Sequence, residues 1–513
     1  MKQFKQKTLF LTVLLIVLLL VWQLFQWNDN PEDIVLANGT RLEWTPCWFD
    51  IPFFSWLKTV HCAYLFPSKD QKLPVVVIKN RLLWNLNSSP ILYLSGGPGS
   101  PTGLDQESIE FWWTWLEIND WSHDLVLFDQ RGTGLSQPQL TCPELLSLGQ
   151  NLLEQALTQE KEFSFGAAAI KQCYQRLCEE GIELSNYTTT HNSHDVNDLM
   201  AALGGYDWNL YGVSYGTRLA LSVVKNHPER LRSVILDSVY PPEIDELFET
   251  PFIYDNALAT LFKGCQINEE CHSTFEHLES TFFMLLEQLR ETPIELTISE
   301  LEIDSEKPLK VLINDHRLLE IVFQALYRWD LIEILPLAID SARRGHYNPL
   351  IPLVKFYLEW LLDPYFSDAI YFSVECHDNS SQITREQFMA QVALFPRVRR
   401  FVENQWDYNI CQIWQVGREN PEFHQPIRSN IPTLLLAGEY DPVTPTRWAK
   451  KAAEGFSQGY LFVFPGIGHG VVDSDHCASM ITREFLHNPQ QKPYNDCLSN
   501  LTGSQFIIED KFK

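Results

Sequence analysis

The chain has 513 residues, of which 45% are hydrophobic and 20% charged, and its formal net charge is −26. This length exceeds the usual size of a single core, so we expect one large domain with an insertion, or two domains. The composition excludes a wholly disordered chain. The strongly acidic balance repels phosphate backbones and argues against nucleic acid as a partner.

The amino-terminal residues predict the compartment. Lys2, Lys5 and Lys7 precede an uncharged apolar run over residues 8–25. This pattern indicates that residues 1–27 form a secretory signal peptide or a signal anchor, which places the rest of the chain outside the cytoplasm, periplasmic or secreted. The residues after the run do not resemble a small-residue cleavage site, which favours an uncleaved membrane anchor.

The eleven cysteines agree with an oxidising compartment. Close spacing suggests four disulfides: Cys47–Cys62, Cys265–Cys271, Cys376–Cys411 and Cys477–Cys497. Cys142 has two candidate partners, Cys173 and Cys178, so one thiol stays unpaired. These cysteines do not show the spacing of a zinc site.

Strands and helices alternate along the first half of the chain. The apolar runs predict strands over residues 91–94, 125–128, 208–213 and 234–236, and helices over residues 194–203 and 217–226. This rhythm implies an α/β fold with a mostly parallel central sheet flanked by helices. Residues 28–240 form the first part of this predicted core.

The alternation stops after residue 240. Residues 241–414 are mostly helix-periodic, and strand patterns return at residues 433–437 and 460–464. We therefore expect a helical cap of about 170 residues, the size of a small domain, to be inserted into the core. Residues 415–513 complete the core.

The clearest chemical motif is G-x-S-x-G, from Gly212 to Gly216 around Ser214. A predicted strand precedes it and a predicted helix follows, the setting of a nucleophile elbow. The sharp turn would lift the serine hydroxyl above the sheet, and the flanking glycines would let strand and helix approach closely. Ser214 is the predicted nucleophile.

A serine nucleophile needs a base and a carboxylate that orients it. When the serine sits on such an elbow, the acid and then the histidine follow along the chain. Asp441 follows the strand at 433–437 and His469 follows the next strand, so these two are predicted to complete the triad. Asp237 also ends a strand, but one that comes too early in the chain for the acid, so we interpret it as a structural residue. Glu439 is the less favoured alternative acid. His476 is expected to lie on the surface.

The intermediate of acyl transfer needs two backbone N–H groups to hold its oxyanion. One is predicted at Tyr215, directly after the nucleophile. The glycine loop that follows the strand at residues 91–94 supplies the other, at Gly97. This loop lacks the pattern of a phosphate-binding loop.

Three motifs together carry a family resemblance: S-G-G-P-G-S-P at residues 95–101, D-Q-R-G-T-G-L-S at 129–136 and G-V-S-Y-G-T-R at 212–218. The chain resembles secreted tripeptidyl and prolyl aminopeptidases of the α/β-hydrolase fold, and residues 431–497 resemble the carboxy-terminal region of the tripeptidyl type. Ser95 stands where the family often has histidine. The residue at this position mainly shapes the loop, so the difference affects loop geometry and not the chemistry. Arg131 is expected to brace its loop by pairing with a carboxylate.

The resemblance implies a serine peptidase that releases short peptides or single residues from a free amino terminus, without a metal or organic cofactor. Acidic cap residues hold the substrate ammonium in this family, and Glu375, with Asp378 second, is the candidate here. An esterase or lipase with the same triad is the alternative, followed by a non-catalytic binding protein. The oligomeric state is left open.

Overall fold

The computed structural model describes residues 32–51, 58–80, 89–205, 207–299, 308–379 and 383–509. The predicted signal or anchor segment, residues 1–27, lies outside these ranges. Within the described part, no helix combines the length and apolarity needed to cross a bilayer.

A ten-stranded sheet forms the centre of the molecule. Its strands, in chain order, are β1 (Ile34–Val35), β2 (Arg41–Thr45), β3 (Lys58–Ser68), β4 (Gln71–Asn80), β5 (Ile91–Leu94), β6 (Leu125–Phe128), β7 (Trp208–Val213), β8 (Leu231–Asp237), β11 (Thr433–Gly438) and β12 (Gly459–Phe464). The spatial order is β1-β2-β3-β4-β6-β5-β7-β8-β11-β12. Strands β5 to β8, β11 and β12 run parallel to one another, whereas β1 to β4 are antiparallel to their neighbours. The predicted α/β fold with a mostly parallel sheet is confirmed.

Helices cover both faces of this sheet. Those outside the cap are α1 (Ile109–Asn119), α2 (Pro143–Leu152), α3 (Gln159–Glu179), α4 (Thr189–Leu203), α5 (Tyr215–Asn226), α15 (Thr446–Ala453), α16 (Val471–Ser474) and α17 (His476–His487). Successive residues of β8 point to opposite faces, so Val234 and Leu236 join one buried cluster while Ile235 joins the other. A strand buried on both faces reads as a continuous apolar run, which is why the sequence predicts β5 to β8 so clearly.

The segment between β8 and β11 corresponds to the predicted cap. Most of its buried apolar residues belong to one cluster, which Leu153, Tyr440, Trp448 and Phe506 also join from outside the segment. Its helices are α6 (Glu246–Ile267), α7 (Glu269–Thr274), α8 (Leu278–Glu291), α9 (Asp315–Ala325), α10 (Trp329–Arg343), α11 (Ile351–Leu361), α12 (Asp368–Asp378), α13 (Arg385–Ala393) and α14 (Arg399–Val402). It also holds an antiparallel pair of strands, β9 (Ile294–Ile298) and β10 (Leu309–Ile313), which the helical prediction did not include. The exact domain bounds proposed from the sequence stay predictions.

Five disulfides cross-link the described residues. They join Cys47 to Cys62, Cys142 to Cys173, Cys265 to Cys271, Cys376 to Cys411 and Cys477 to Cys497. The four predicted pairs are confirmed, and of the two partners open to Cys142 the structure selects Cys173. Cys178 is exposed and carries a free thiol. Five disulfides suggest an extracytoplasmic protein, because such bonds persist in oxidising compartments.

Candidate active site

Ser214 occupies the turn between β7 and α5. Its backbone has φ 57° and ψ −124°, a positive φ that is costly for any residue except glycine. The Ser214 N–H donates to the carbonyl of Asp237, the last residue of β8, at 2.9 Å. The strained serine is therefore tied to the neighbouring strand, as expected for a nucleophile elbow.

The two glycines of the motif let the strand and the helix approach each other. A Cβ at Gly212 would lie 2.3 Å from the Gly216 carbonyl oxygen, and one at Gly216 would lie 2.0 Å from the carbonyl oxygen of Leu94 in β5. Neither position has room for a side chain. The elbow thus needs glycine for space at both positions.

We expect the Gly216→Ala variant to be less stable than the parent by about 1–3 kcal/mol, because the new methyl group must displace the backbone of β5. The midpoint of urea denaturation measures this change. Gly166→Ala is the matched control: Gly166 lies within α3, and none of the residues that the structure describes lies within 4 Å of an added Cβ, so this variant should be unchanged or stabilised by up to about 1 kcal/mol. Equal denaturation midpoints for the two variants would show that the close approach at Gly216 is relieved at no cost.

Asp441 and His469 meet at the carboxyl ends of β11 and β12. Asp441 Oδ2 lies 2.9 Å from His469 Nδ1. The Asp441 side chain is fully buried, and it also accepts hydrogen bonds from the backbone N–H groups of Val443 (3.1 Å) and Thr444 (2.8 Å) and from the Thr444 hydroxyl (2.6 Å). These donors fix the carboxylate so that it orients the imidazole and leaves Nε2 as the nitrogen available to a substrate-side proton.

The surroundings of His469 determine its affinity for a proton. Burial lowers the pKa of His469, but the adjacent Asp441 carboxylate outweighs burial, so the net pKa is raised above its usual value of 6.5. The Tyr327 ring packs against the imidazole with the ring centroids 4.9 Å apart, and the Tyr327 carbonyl accepts the His469 backbone N–H at 2.9 Å. The cap, which contributes Tyr327, therefore holds the histidine loop directly.

Asp237 connects the serine to the histidine loop. Its carbonyl accepts the Ser214 N–H, while its carboxylate accepts the backbone N–H groups of Val471 and Val472 at 2.8 and 2.9 Å. The hydroxyl of the next residue, Ser238, accepts the Gly470 N–H at 2.9 Å. The prediction that Asp237 is a structural hydrogen-bonding residue is confirmed.

These contacts bring the ends of β7, β11 and β12 to one edge of the sheet. No hydrogen bond joins Ser214 Oγ to His469 Nε2, although the structure describes both residues. Catalytic hydrogen bonds commonly tighten only when substrate binds, so this geometry is compatible with a proton relay.

The glycine loop after β5 lies against the serine. A Cβ at Gly96 would lie 3.1 Å from Ser214 Cβ and 3.7 Å from its Oγ. Gly97 comes next with φ +103°, and Tyr215 begins α5, so its N–H belongs to the positive end of that helix. The predicted oxyanion role of the Gly97 and Tyr215 N–H groups stays a prediction, which this position of the loop favours.

Two further residues support this loop. Ser95 Oγ accepts a hydrogen bond from Gln130 Nε2 at 3.1 Å and donates to the Ser100 carbonyl at 3.2 Å. Ser95 thus shapes the loop from within. The predicted bracing role of Arg131 is confirmed, since its guanidinium makes a two-point ion pair with Asp195.

A buried polar cluster lies next to the elbow helix. Glu375, in α12, is 8% exposed and accepts hydrogen bonds at Oε2 from the Tyr240 hydroxyl (3.0 Å) and from Asn379 Nδ2. Its other oxygen, Oε1, has no partner among the described residues. Arg218, one turn after Ser214 on α5, is fully buried over the Tyr240 ring at 3.6 Å and donates to Asn379 Oδ1 at 3.0 Å.

Glu375 shares this site with a second acid, Glu246, from the start of α6. Burial raises the pKa of Glu375 well above its usual range, and the charge on Glu246 raises it further. Burial likewise raises the pKa of Tyr327, followed by the charges on Asp441 and Glu246. Tyr327 therefore lies within electrostatic reach of both Asp441 and Glu246. The buried Arg218 charge lowers the pKa of both acids and so offsets part of their repulsion, and a further bound cation would offset more.

Asp378, the second candidate for the ammonium, lies near enough to Glu375 for its charge to raise the pKa of Glu375. Its side chain is fully buried, and its Oδ1 lies 3.4 Å from His377 Nδ1. It stands one turn beyond Glu375 on the same helix.

Sequence reasoning missed Thr444, Glu246 and Arg218. Thr444 follows Asp441 closely in a D-x-x-T pattern typical of a carboxylate-capped turn, which gave a detectable signal. Glu246 and Arg218 gave none, because only the packing of the cap on the elbow helix brings them to Glu375.

Comparison with protein families decides the assignment. Residues 89–266 match the model of the alpha/beta hydrolase fold family, and residues 399–497 match the model of the TAP-like protein family. The chain has the α/β-hydrolase fold. Its TAP-like region contains both Asp441 and His469, whereas the first match contains Ser214.

Curated relatives of this α/β hydrolase are similar over most of their length. The chain is 24% identical to the putative hydrolase YuaR of Escherichia coli, covering 91% of this chain and 95% of the relative. It is 23% identical to a tripeptidyl aminopeptidase of Streptomyces lividans, covering 87% and 84%. It is 21% identical to the serine protease Hip1 of Mycobacterium tuberculosis, covering 87% and 89%.

Solved structures with a similar fold are more distant. The proline iminopeptidase of Mycobacterium smegmatis is 14% identical, covers 83% of this α/β hydrolase and 97% of its own chain, and gives a TM-score of 0.38. An α/β-hydrolase fold protein from Chitinophaga pinensis is 11% identical, covers 83% and 97%, and gives a TM-score of 0.35. Similarity at this level gives no information on substrate.

Proposed function

We propose that this hydrolase is a serine peptidase that releases short peptides or single residues from the free amino terminus of peptide substrates. The observation that carries the proposal is the buried acid pair, Glu375 and Glu246. Asn379 links Glu375 to Arg218, which lies one helical turn after Ser214. A pair of carboxylates with one unpartnered oxygen suits a substrate ammonium, because the bound cation relieves their mutual repulsion. The names of two relatives, a tripeptidyl aminopeptidase and a serine protease, agree with it.

In the proposed reaction, Ser214 Oγ attacks the scissile carbonyl while His469 Nε2 accepts its proton. Asp441 stabilises the imidazolium through Nδ1, and the N–H groups of Gly97 and Tyr215 hold the oxyanion. His469 then protonates the departing amine, and water releases the acyl group in a second cycle. The distance from the acid pair to Ser214 sets how many residues fit between the ammonium and the cleaved bond.

We expect the Glu375→Gln variant to lose kcat/KM on peptides with a free amino terminus by roughly 30-fold or more, because a buried charge partner of the ammonium is removed. Rates on amino-terminally acetylated versions of the same peptides should change little. Products are identified by mass spectrometry, which also counts the residues released per cut.

Glu320→Gln is the matched control, because Glu320 is also a cap carboxylate that accepts a hydrogen bond from a tyrosine, Tyr254, at 2.8 Å. It should leave the preference for free amino termini intact. Equal rates of the parent protein on free and acetylated peptides would refute the aminopeptidase proposal. Rapid hydrolysis of simple esters together with that result would favour the esterase alternative.

A further inference from the structure

We propose that His377, Asp378 and Glu419 form a binding site for one zinc ion, separate from the triad. His377 and Asp378 end α12, and Glu419 lies in the irregular segment between α14 and β11. His377 Nδ1 is 3.4 Å from Asp378 Oδ1 and 3.6 Å from Glu419 Oε2. One ligand atom from each residue lies within 4.8 Å of the other two.

These two distances match the spacing of metal ligands and are longer than a well-formed hydrogen bond. A tetrahedral zinc ion takes nitrogen and carboxylate oxygen at about 2.0–2.2 Å, which puts its ligand atoms roughly 3.3–3.6 Å apart. An N–H···O hydrogen bond is shorter, about 2.7–3.2 Å, and Nδ1 carries at most one hydrogen to offer two carboxylates. Imidazole nitrogen and carboxylate oxygen are a donor set that zinc accepts.

An independent observation at Asp378 points to a missing ligand. The Asp378 side chain is fully buried, and its Oδ2 has no hydrogen-bond partner among the described residues. A buried carboxylate oxygen without a partner is costly. A cation bound by Asp378 would remove that cost.

The ligands are held in place by their surroundings. The Thr190 hydroxyl donates to Glu419 Oε2 at 2.6 Å, and the Glu419 backbone N–H donates to the His377 carbonyl at 3.0 Å. The neighbouring Cys376 is bonded to Cys411, which fixes the end of α12. The side chains of His377 and Glu419 are 14% and 13% exposed, so a water molecule can reach the remaining coordination position.

The test uses the full-length protein, treated with a chelator and then dialysed against zinc chloride. We expect about one equivalent of zinc per chain by mass spectrometry of the metal, and competition titration should show at least about 100-fold weaker binding in both His377→Ala and Glu419→Gln, since even outer-shell changes cost 10–100-fold. His277→Ala is the matched control, because His277 is 4.0 Å from the carboxylate of Glu276 but lies exposed on the surface. It should bind zinc like the parent.

Cobalt substitution of the parent protein provides a second measurement that does not depend on the folding of a variant. Cobalt(II) bound by one imidazole and two carboxylates in a tetrahedral site gives intense visible absorption, and added zinc should abolish it stoichiometrically. Zinc content that is the same in all variants, cobalt spectra typical of a hydrated ion, or binding of magnesium or calcium but not zinc would each overturn the proposal. His377 would then be only a partner of two carboxylates.

Discussion

Replacing Ser214 by alanine is expected to lower kcat by roughly a million-fold, the scale of loss when a serine nucleophile acting with a histidine base is removed. The parent protein should become covalently labelled by a fluorophosphonate at Ser214, and the Ser214→Ala variant should not. Peptide mapping of the labelled protein identifies the modified residue. The folded state should be retained, because alanine removes only a hydroxyl that bonds neither His469 nor Asp441.

Ser222→Ala is the matched control for this experiment. Ser222 is a buried serine on the same helix, α5, two turns beyond the elbow. This variant should keep both its label and its rate. A label that persists in Ser214→Ala, or full activity in that variant, would place the nucleophile elsewhere.

The Asp441→Asn variant should lose about 10⁴-fold in kcat, because the amide cannot stabilise the imidazolium and favours the wrong tautomer of His469. The pH dependence should change as well. The base must be neutral to act, so the activity of the parent rises with pH through the raised pKa of His469, and the acid limb of kcat/KM lies above pH 6.5. In the variant burial dominates and lowers this pKa, so the acid limb should move to lower pH.

The Glu439→Gln variant tests whether Glu439, and not Asp441, is the acid that orients His469. Glu439 Oε2 accepts the backbone N–H of Gly466 at 3.0 Å, and the glutamine oxygen can do the same. This variant should change the rate by only a few fold. If the acid limb of the pH profile of kcat/KM stays in place in Asp441→Asn but moves in Glu439→Gln, then Glu439 and not Asp441 is the acid that orients His469.

The parts of the fold that the sequence predicted best are those with both faces buried. Strands β5 to β8, β11 and β12 each contain a short apolar run, and β5 and β7 lead directly into the glycine loop and Ser214. The antiparallel strands β1 to β4 escaped prediction. Pro67 and Pro74 lie inside β3 and β4, and proline weakens a strand pattern.

In the candidate site too, some residues could be predicted from the sequence and others could not. Local motifs and strand ends pointed to Ser214, Asp441 and His469, and the structure brings the last two into a hydrogen bond and ties the first to the same sheet edge through Asp237. The partnership of Glu375 with Glu246 depends on how helices far apart in the sequence pack in the cap. No periodicity or short motif encodes such packing, so the acid pair could be recognised only in three dimensions.

The backbone hydrogen bond from His469 to the Tyr327 carbonyl has a consequence for engineering. A Cβ at the preceding Gly468 would lie only 2.2 Å from the carbonyl oxygen of Leu326, so the loop that carries His469 packs closely against the cap. Excising the cap, or transplanting one from a relative, would remove contacts that position His469, the predicted general base. Specificity in this enzyme therefore cannot be exchanged as an independent module, and chimeras must carry residues 326–327 and the loop at 466–470 together.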